Sequence, residues 1–407
     1  MRVMIRTIGA LFALSLLCRP ASAGEPNVSA GAARIPPGGD HWVWVTDRLW
    51  QHSTLFDGDS GRVLGMIDGP VGTVTPKLPL HSRRRGEIYS VEMAYSRGRR
   101  GDRVDFVTIY DPRSLAATGE ILLPTRTGDA NTSLGYAALL DGDRFLATFN
   151  QFPIASVSIV DLDTRRFVGE VPITGCAGIY PVGERRFATL CGDGTTAVIE
   201  LDAGGRGRVT THSERFFDAV EDPVTMAAVR TGARWVFVSF EGNAHIVDFA
   251  AATPSAAPAW SLLSDADRRD RWRVGGLQHL ALHVPSQRLY SIVHRGERGS
   301  HKAPGPEIWV YDLAEKRRVD RFALPNFTAA FLAPRFGIAK GGALDWGLSR
   351  VIPSDGAHTL VVTQDAAPLL FARNAEIGVI AVLDGRSGQH LRNLEEAGLA
   401  GPTLGLH

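Results

Sequence analysis

His279 and His283 are the first side chains to examine for reactivity. With Ala281 between them they occupy alternate positions of a predicted strand, so both imidazoles would face the same way. Two neutral imidazoles on one face can begin a metal site. No carboxylate or cysteine stands at a matching offset, however, and we therefore favour packed or hydrogen-bonded histidines. His294 and His301, which flank a loop rich in Gly and Arg, receive the same interpretation.

Cys176 and Cys191 have types and spacing that predict a covalent bond. The residues between them indicate a strand, a glycine turn and a second strand, which would bring the two sulfurs together. In an oxidising compartment such a pair forms a structural disulfide by default. A redox-active pair is the less favoured alternative, because the sequence has no Cys-x-x-Cys motif and nothing nearby that would lower a thiol pKa.

Other catalytic patterns do not emerge from the sequence. We find no nucleophile elbow, no phosphate-binding glycine loop and no carboxylate pair that the sequence brings together. We therefore assign no catalytic residue and no metal ligand to this chain. The formal net charge of +1 also argues against a nucleic-acid partner, because such proteins carry a strong basic excess.

The elements that would position any site are hairpins of one repeated kind. Each has an apolar strand closed by an Asp, whose carboxylate can accept hydrogen bonds from N–H groups two residues on. The seven aspartates are Asp57, Asp111, Asp161, Asp202, Asp248, Asp312 and Asp384.

The spacing of these hairpins predicts the fold. A repeat near 40–50 residues, with room for two more strands between hairpins, is typical of a β-propeller blade. Seven copies predict an all-β, seven-bladed propeller. An ordinary sandwich that happens to carry several Asp turns is the alternative, and seven copies at blade spacing disfavour it.

The amino terminus predicts export. Residues 1–23 combine two early positive charges, a short apolar run and Ala21-Ser22-Ala23, which together are typical of a cleaved signal peptide. A lipoprotein reading of Cys18 is the alternative, but the leucines before it are not the small residues that such a signal prefers. No other stretch is long and apolar enough to span a membrane. We therefore expect the periplasm as the location.

The remaining chain divides into two predicted parts. Residues 24–40 are rich in Gly, Pro and Ala and predict an extended arm, and residues 41–407 predict the propeller. Only residues 264–271 look helical, with Ser264 as N-cap. An insertion near 325–345 is expected on a propeller face, as a lid, a docking loop or a tolerated elaboration.

Several motifs, in one order, resemble a known family. The segments at 59–69, 150–153, 272–279, 301–302 and 307–312, together with Cys176 and Cys191, are similar to the heavy chain of the quinoprotein amine dehydrogenases, the methylamine and aromatic amine dehydrogenases. Val274 replaces the family's proline. The resemblance covers residues 42–391.

This resemblance implies a seven-bladed, non-catalytic heavy chain in an assembly of two heavy and two light chains. The family's cofactor, tryptophan tryptophylquinone, is made from two Trp residues of a cysteine-rich light chain. A light-chain Asp abstracts a proton from the primary amine, which becomes an aldehyde and ammonia, and the electrons pass to a blue copper protein. The heavy chain would scaffold the light chain, line the substrate channel and help dock the acceptor.

Two departures and two alternatives accompany the resemblance. Pro70 and Val71 align with the channel, and Val71 stands where the methylamine enzymes have an aromatic residue, which predicts a wider entrance and a bulkier amine. The insertion at 325–345 is the second departure. A periplasmic scaffold or binding protein without a quinone partner is the first alternative. A self-contained propeller enzyme, such as a metal-dependent lactonase or a pyrroloquinoline-quinone dehydrogenase, is the second, and the carboxylates or stacking Trp it needs are not found.

Overall fold

A computed structural model gives the fold. It describes residues 34–47, 50–69, 78–98, 100–124, 134–338, 347, 351–352, 355–395 and 403–407. The predicted signal peptide and most of the predicted arm lie outside these residues. Within the arm, Ile35 is buried and its N–H donates to the carbonyl of Arg113.

Seven antiparallel sheets follow one another along the chain as the blades of a β-propeller, which confirms the predicted fold class. The strands of the first four blades are β1 (Trp42–Asp47), β2 (His52–Asp57), β3 (Val63–Asp68), β4 (Leu80–Ser82), β5 (Glu87–Arg97), β6 (Arg100–Tyr110), β7 (Ala117–Leu123), β8 (Ala137–Leu140), β9 (Phe145–Asn150), β10 (Ser156–Asp161), β11 (Arg166–Pro172), β12 (Cys176–Pro181), β13 (Arg186–Cys191), β14 (Thr196–Leu201) and β15 (Gly207–His212).

The fifth and sixth blades are less regular. Both β19 and β20 pair with β18 in the fifth blade, and both β21 and β22 pair with β23 in the sixth. The strands of the last three blades are β16 (Val229–Thr231), β17 (Arg234–Val238), β18 (Asn243–Asp248), β19 (Ser255–Ala256), β20 (Trp260–Ser261), β21 (Trp272–Val274), β22 (Leu280–His283), β23 (Arg288–Arg295), β24 (Glu307–Asp312), β25 (Arg317–Ala323), β26 (Thr359–Val362), β27 (Leu369–Arg373), β28 (Val379–Asp384) and β29 (His390–Glu395). The last strand of the chain, β30 (Thr403–Leu406), belongs to the first blade.

The two ends of the propeller sequence meet in the first blade. Strand β30 is its innermost strand and pairs with β1, so that Leu404 lies opposite Val45. Leu404 is fully buried in the apolar layer between this blade and the seventh. Pairing with β30 covers the inner edge of β1, so the last strand of the chain completes the first blade and closes the ring.

The seven Asp turns are confirmed in detail. Each Asp ends the third strand of its blade or directly follows it, and leads into the outermost strand. In every case one carboxylate oxygen accepts the N–H two residues on, as Asp312 does from Ala314 and Asp384 from Arg386. These carboxylates are therefore occupied in holding turns.

Antiparallel order places alternate connections at opposite ends of the propeller. One end carries the Asp turns and the turns from first to second strand, and we call it the Asp-turn face. The other end carries the connections from second to third strand and from each blade to the next, and we call it the crossover face. All the longest connections among the described strands lie at the crossover face.

Two α-helices lie in the described chain, both at the crossover face. Helix α1 (Asp265–Arg269) confirms the predicted N-cap, because Ser264 and Asp267 form a reciprocal capping box. Helix α2 (Phe327–Arg335) shows that the expectation of a single helical segment was wrong. Its start was readable, since the Asn326 side chain accepts the N–H of Ala329 as an N-cap does. Phe327 is fully buried, so α2 is anchored to the propeller core.

Helix α2 lies at the start of the predicted insertion, of which residues 339–345 lie outside the described chain. A 3-10 turn at Leu134–Tyr136 precedes β8. Among the described residues, no helix combines the length and the apolar content needed to cross a bilayer.

Candidate functional site

A cavity of about 670 Å³ lies on the propeller axis. It is lined by residues from six innermost strands, namely β8, β12, β16, β22, β26 and β30, and by residues of the connections next to them. A volume of this size is in the range of small-molecule sites. We treat this axial cavity and the crossover face as the candidate functional regions.

The side chains around the axial cavity are mostly apolar, and its principal polar groups already have partners. Gln278 Nε2 donates to the carbonyls of Leu360 and Leu404, and Gln364 Nε2 donates to two further carbonyls. Trp235 Nε1 donates to the carbonyl of Pro181. These polar groups brace the inner strands, so the cavity offers mainly apolar surface.

The charges at the cavity are all of one sign. Lys302 and Arg230 line it, and the described lining includes no Asp or Glu. Lys302 lies in the β23–β24 connection at the crossover end, whereas Arg230 lies near the Asp-turn end of β16. Burial lowers the pKa of Arg230, and no carboxylate offsets that effect.

His279 and His283 do not form a joint site. Both side chains are buried, and neither lines the axial cavity. His283 is hydrogen-bonded with Ser286 Oγ and donates Nε2 to the Asp365 carbonyl.

His294 and His301 also contact different partners. His294 Nε2 is bonded with Ser300 Oγ at 2.9 Å, whereas the His301 ring stacks on Phe240. The described residues contain no group of three His, Cys, Asp or Glu side chains that could hold a metal ion.

Buried histidines make the stability of this chain sensitive to acid. Burial, with His301 nearby, lowers the pKa of His279 to about 4, and burial, with His81 and Arg83 nearby, lowers that of His407 to about 3. Both rings are neutral when folded but titrate near 6.5 when unfolded. The stability that each neutral ring contributes is therefore fully present above pH 6.5. It is lost as the pH falls, at roughly 1.4 kcal/mol per pH unit for each ring, down to about pH 4 for His279 and about pH 3 for His407.

Wild-type unfolding should take up about one proton at His279 between pH 6.5 and 4.5, and His279→Leu should remove this uptake. The free energy of unfolding of the variant is therefore expected to fall less steeply with decreasing pH in that range. Denaturant titrations at pH 7, 5.5 and 4.5, on wild type and variant, measure this difference. Parallel curves for the two proteins would contradict it.

Cys176 and Cys191 are joined by a disulfide, as predicted. They face each other in register on β12 and β13, at the crossover end of the fourth blade. The bond was predictable because both cysteines lie on adjacent strands joined by one turn. The bond joins the crossover ends of two adjacent strands of its blade.

Replacing both cysteines with serine is expected to lower the free energy of unfolding by roughly 3 kcal/mol, because the open loop regains chain entropy in the unfolded state. Urea unfolding of oxidised wild type, reduced wild type and the double variant measures this. Reduction should shift the wild-type midpoint and leave that of the variant unchanged. Equal midpoints for all three would contradict a stabilising role.

The predicted channel residues Pro70 and Val71 lie outside the described residues. The connection to which they belong joins β3 to β4. Gly69, the last described residue before them, donates its N–H to the carbonyl of Gln51. Their role in a channel remains a prediction.

The crossover face carries most of the exposed apolar side chains found in connections. The described connections on this face expose seven, whereas those of the Asp-turn face expose only Val284. The seven are Trp50, Leu134, Phe152, Ile154, Val220, Phe336 and Val351. The exposed apolar side chains of the described connections therefore lie almost entirely at one end of the propeller, which makes that end the candidate for a protein interaction surface. This asymmetry could not be read from the sequence, because it depends on which end of each strand faces which way.

Ion pairs order the crossover connections of the fifth and sixth blades. Arg298 Nε donates to Glu241 Oε1 at 2.9 Å, and its other nitrogen donates to the carbonyl of Glu221 at 2.8 Å. Arg271 pairs with Glu297 at 2.9 Å. These contacts hold the loop that carries His301 and Lys302, a segment that also resembles the amine dehydrogenase heavy chains.

Comparison with known proteins places these features in a family. The family model described as methylamine dehydrogenase heavy chain matches residues 41–329. The methylamine dehydrogenase heavy chain of Paracoccus versutus is 27% identical over 367 residues, which cover 89% of this chain and 76% of that one. The heavy chain of Methylorubrum extorquens is 25% identical, covering 86% of this chain and 77% of its own length.

A solved structure supports the fold. A functionally unknown protein from Desulfotomaculum acetoxidans superposes with a TM-score of 0.55 at 13% identity, covering 89% of this chain and 98% of the other. Similarity at this level of identity concerns the fold alone.

Proposed function

The chain belongs to the methylamine dehydrogenase heavy chain family, and from this premise we propose that it is the non-catalytic heavy chain of a periplasmic amine dehydrogenase. The family match over residues 41–329 carries the proposal. The enzyme oxidatively deaminates a primary amine to an aldehyde and ammonia. Its tryptophan tryptophylquinone resides in a cysteine-rich light chain and takes up the electrons of the amine.

The crossover face is the surface we assign to the light chain. Its exposed apolar side chains come from at least five connections and are therefore distributed over several blades. Burying apolar area drives stable association between subunits. The light chain would cover this surface, and a blue copper acceptor would dock beside it in an assembly of two heavy and two light chains.

Three tryptophans of this chain are packed within its blades, which fits a scaffold role. Trp44 and Trp309 are completely buried among strand side chains. Trp309 is packed by Trp272, with ring centroids 5.1 Å apart, and by the guanidinium of Arg318. These rings stabilise blades, and the quinone is proposed to be made in the partner.

The proposal is tested by purifying the tagged chain from a host that exports it together with its neighbouring reading frames. We expect a short, cysteine-rich chain to co-purify in equal amount, at the mass of a heterotetramer, and the mixture to oxidise a primary amine. A single chain without activity in every such preparation would favour the alternative, a scaffold without a quinone partner.

The choice of amine is a separate prediction from Val71. A small side chain at a channel that an aromatic residue otherwise narrows should admit an arylalkylamine. Val71→Phe is then expected to lower kcat/KM for phenethylamine by about tenfold while changing that for methylamine much less, since misfit in a pocket costs about 1–3 kcal/mol. Wild-type enzyme that oxidises methylamine far faster than any arylalkylamine would contradict the prediction.

A further inference from the structure

We propose that the axial cavity is a binding site for one small amphipathic anion, an apolar or aromatic carboxylate or sulfonate. The acidic head lies at Lys302 and the apolar body extends along the axis. This proposal goes beyond the amine dehydrogenase function. It concerns this chain alone and does not depend on a partner subunit.

The apolar body is indicated by the state of the polar lining. Gln278 and Gln364 direct their amide N–H groups to backbone carbonyls, at 2.8–3.0 Å. The oxygen of Gln364 accepts the N–H of Val284. A ligand inside therefore meets mainly alkyl and aromatic surface, and its affinity comes from apolar burial rather than from hydrogen bonds.

The charge of the ligand is indicated by the contrast between Lys302 and its neighbours. In the same connection, Arg298 is bonded to Glu241 and Glu297 is bonded to Arg271, so the loop pairs its other charges. Lys302 forms no ion pair with any described residue and lines the cavity. Its side chain is also solvent-exposed, so it is available to pair with an anion.

The same charges disfavour a cation. Lys302 and Arg230 stand at the two ends of the cavity, and the described lining holds no carboxylate. A protonated amine would meet positive potential on entering from either end. The axial cavity is therefore distinct in its chemistry from a route for the amine substrate.

An aromatic floor lies beside the proposed head position. The His301 and Phe240 rings are stacked, with centroids 3.4 Å apart and planes 12° apart. They come from the crossover connections of two neighbouring blades, and both line the cavity. A flat ring or alkyl chain entering past Lys302 would lie against this pair.

The probe for this site is 8-anilinonaphthalene-1-sulfonate, which joins a sulfonate to aromatic rings. Fluorescence titration of the purified full-length chain, alone and with any co-purifying subunit, is expected to give one saturable site per chain. Decanoate should displace the probe, whereas phenethylammonium, a cation of similar apolar character, should not.

Two variants and a control locate the binding. Lys302→Gln is expected to weaken probe binding about fivefold, as loss of one exposed charge contact would. Ala228→Trp, which fills the cavity, should abolish it. Lys316→Gln, a matched charge removal in an Asp turn, should leave it unchanged.

Binding that is unaffected by Lys302→Gln would overturn the proposal, as would displacement by phenethylammonium as effective as that by decanoate. The absence of a saturable site would do the same. If Ala228→Trp fails to fold, as judged by circular dichroism, the comparison of Lys302→Gln with Lys316→Gln decides alone.

Discussion

Deleting residues 403–407 is expected to leave the chain unable to close its ring, with a loss of at least about 4 kcal/mol in the free energy of unfolding. Strand β30 pairs with β1 along its length, and Leu404 is fully buried between the first and seventh blades. Gln278 in the sixth blade also bonds to the backbone of Leu404. The deletion removes all of these contacts and exposes the edge of β1.

A single substitution distinguishes the loss of ring closure from a general loss of stability. Leu404→Ala should cost roughly 2–5 kcal/mol, because it leaves a cavity where the two blades meet. Leu122→Ala is the matched control, since Leu122 on β7 is 65% exposed and should change stability by less than about 0.5 kcal/mol. Thermal unfolding of the wild type and of the two variants, followed by circular dichroism, gives the melting temperatures to compare. Equal melting temperatures for Leu404→Ala and Leu122→Ala would contradict closure by β30.

The second large effect is expected at the crossover face. Phe152→Asp combined with Ile154→Asp should abolish co-purification of the light chain, because two carboxylates would then be buried without partners in the proposed interface. Both side chains are more than half exposed, at 58% and 59%, so the isolated chain should fold normally. Circular dichroism and gel filtration of the variant check its folding.

The matched control uses two apolar side chains of similar exposure elsewhere. Val63 and Met66 lie on β3, the outermost strand of the first blade, at 51% and 48% exposure. Val63→Asp combined with Met66→Asp should retain the light chain. Retention by the Phe152 and Ile154 variant, or equal loss by both variants, would show that the light chain does not use the surface around Phe152.

Local chemistry explains which parts of the fold were predictable from the sequence. An Asp turn involves only a few neighbouring residues, so all seven were readable, and their spacing was enough to predict the number of blades. The disulfide was readable for the same reason, since Cys176 and Cys191 lie on one hairpin.

Features that depend on distant residues were not predictable in this way. The pairing of β30 with β1 joins residues about 360 positions apart, and the short, irregular strands β21 and β22 share one partner in β23. Helix α2 was missed because its apolar residues were taken as part of an insertion, although Asn326 marks its start.

The axial cavity could not be predicted from the sequence for a further reason. Its lining comes from six innermost strands, each of which contributes only a few residues. Lys302 stands out only when its paired neighbour Arg298 is seen beside it. In sequence, Lys302 could be noted only as part of a segment similar to the family.

The central claim, that this chain is the heavy subunit of an amine dehydrogenase, is tested most directly by an absorption spectrum of the complex purified from its native host. We predict a visible quinone band in the preparation, carried by a small chain on a denaturing gel, that bleaches when a primary amine is added. A colourless preparation containing this chain alone, with a spectrum that does not respond to amines, would contradict the claim and leave only the propeller fold and the family membership.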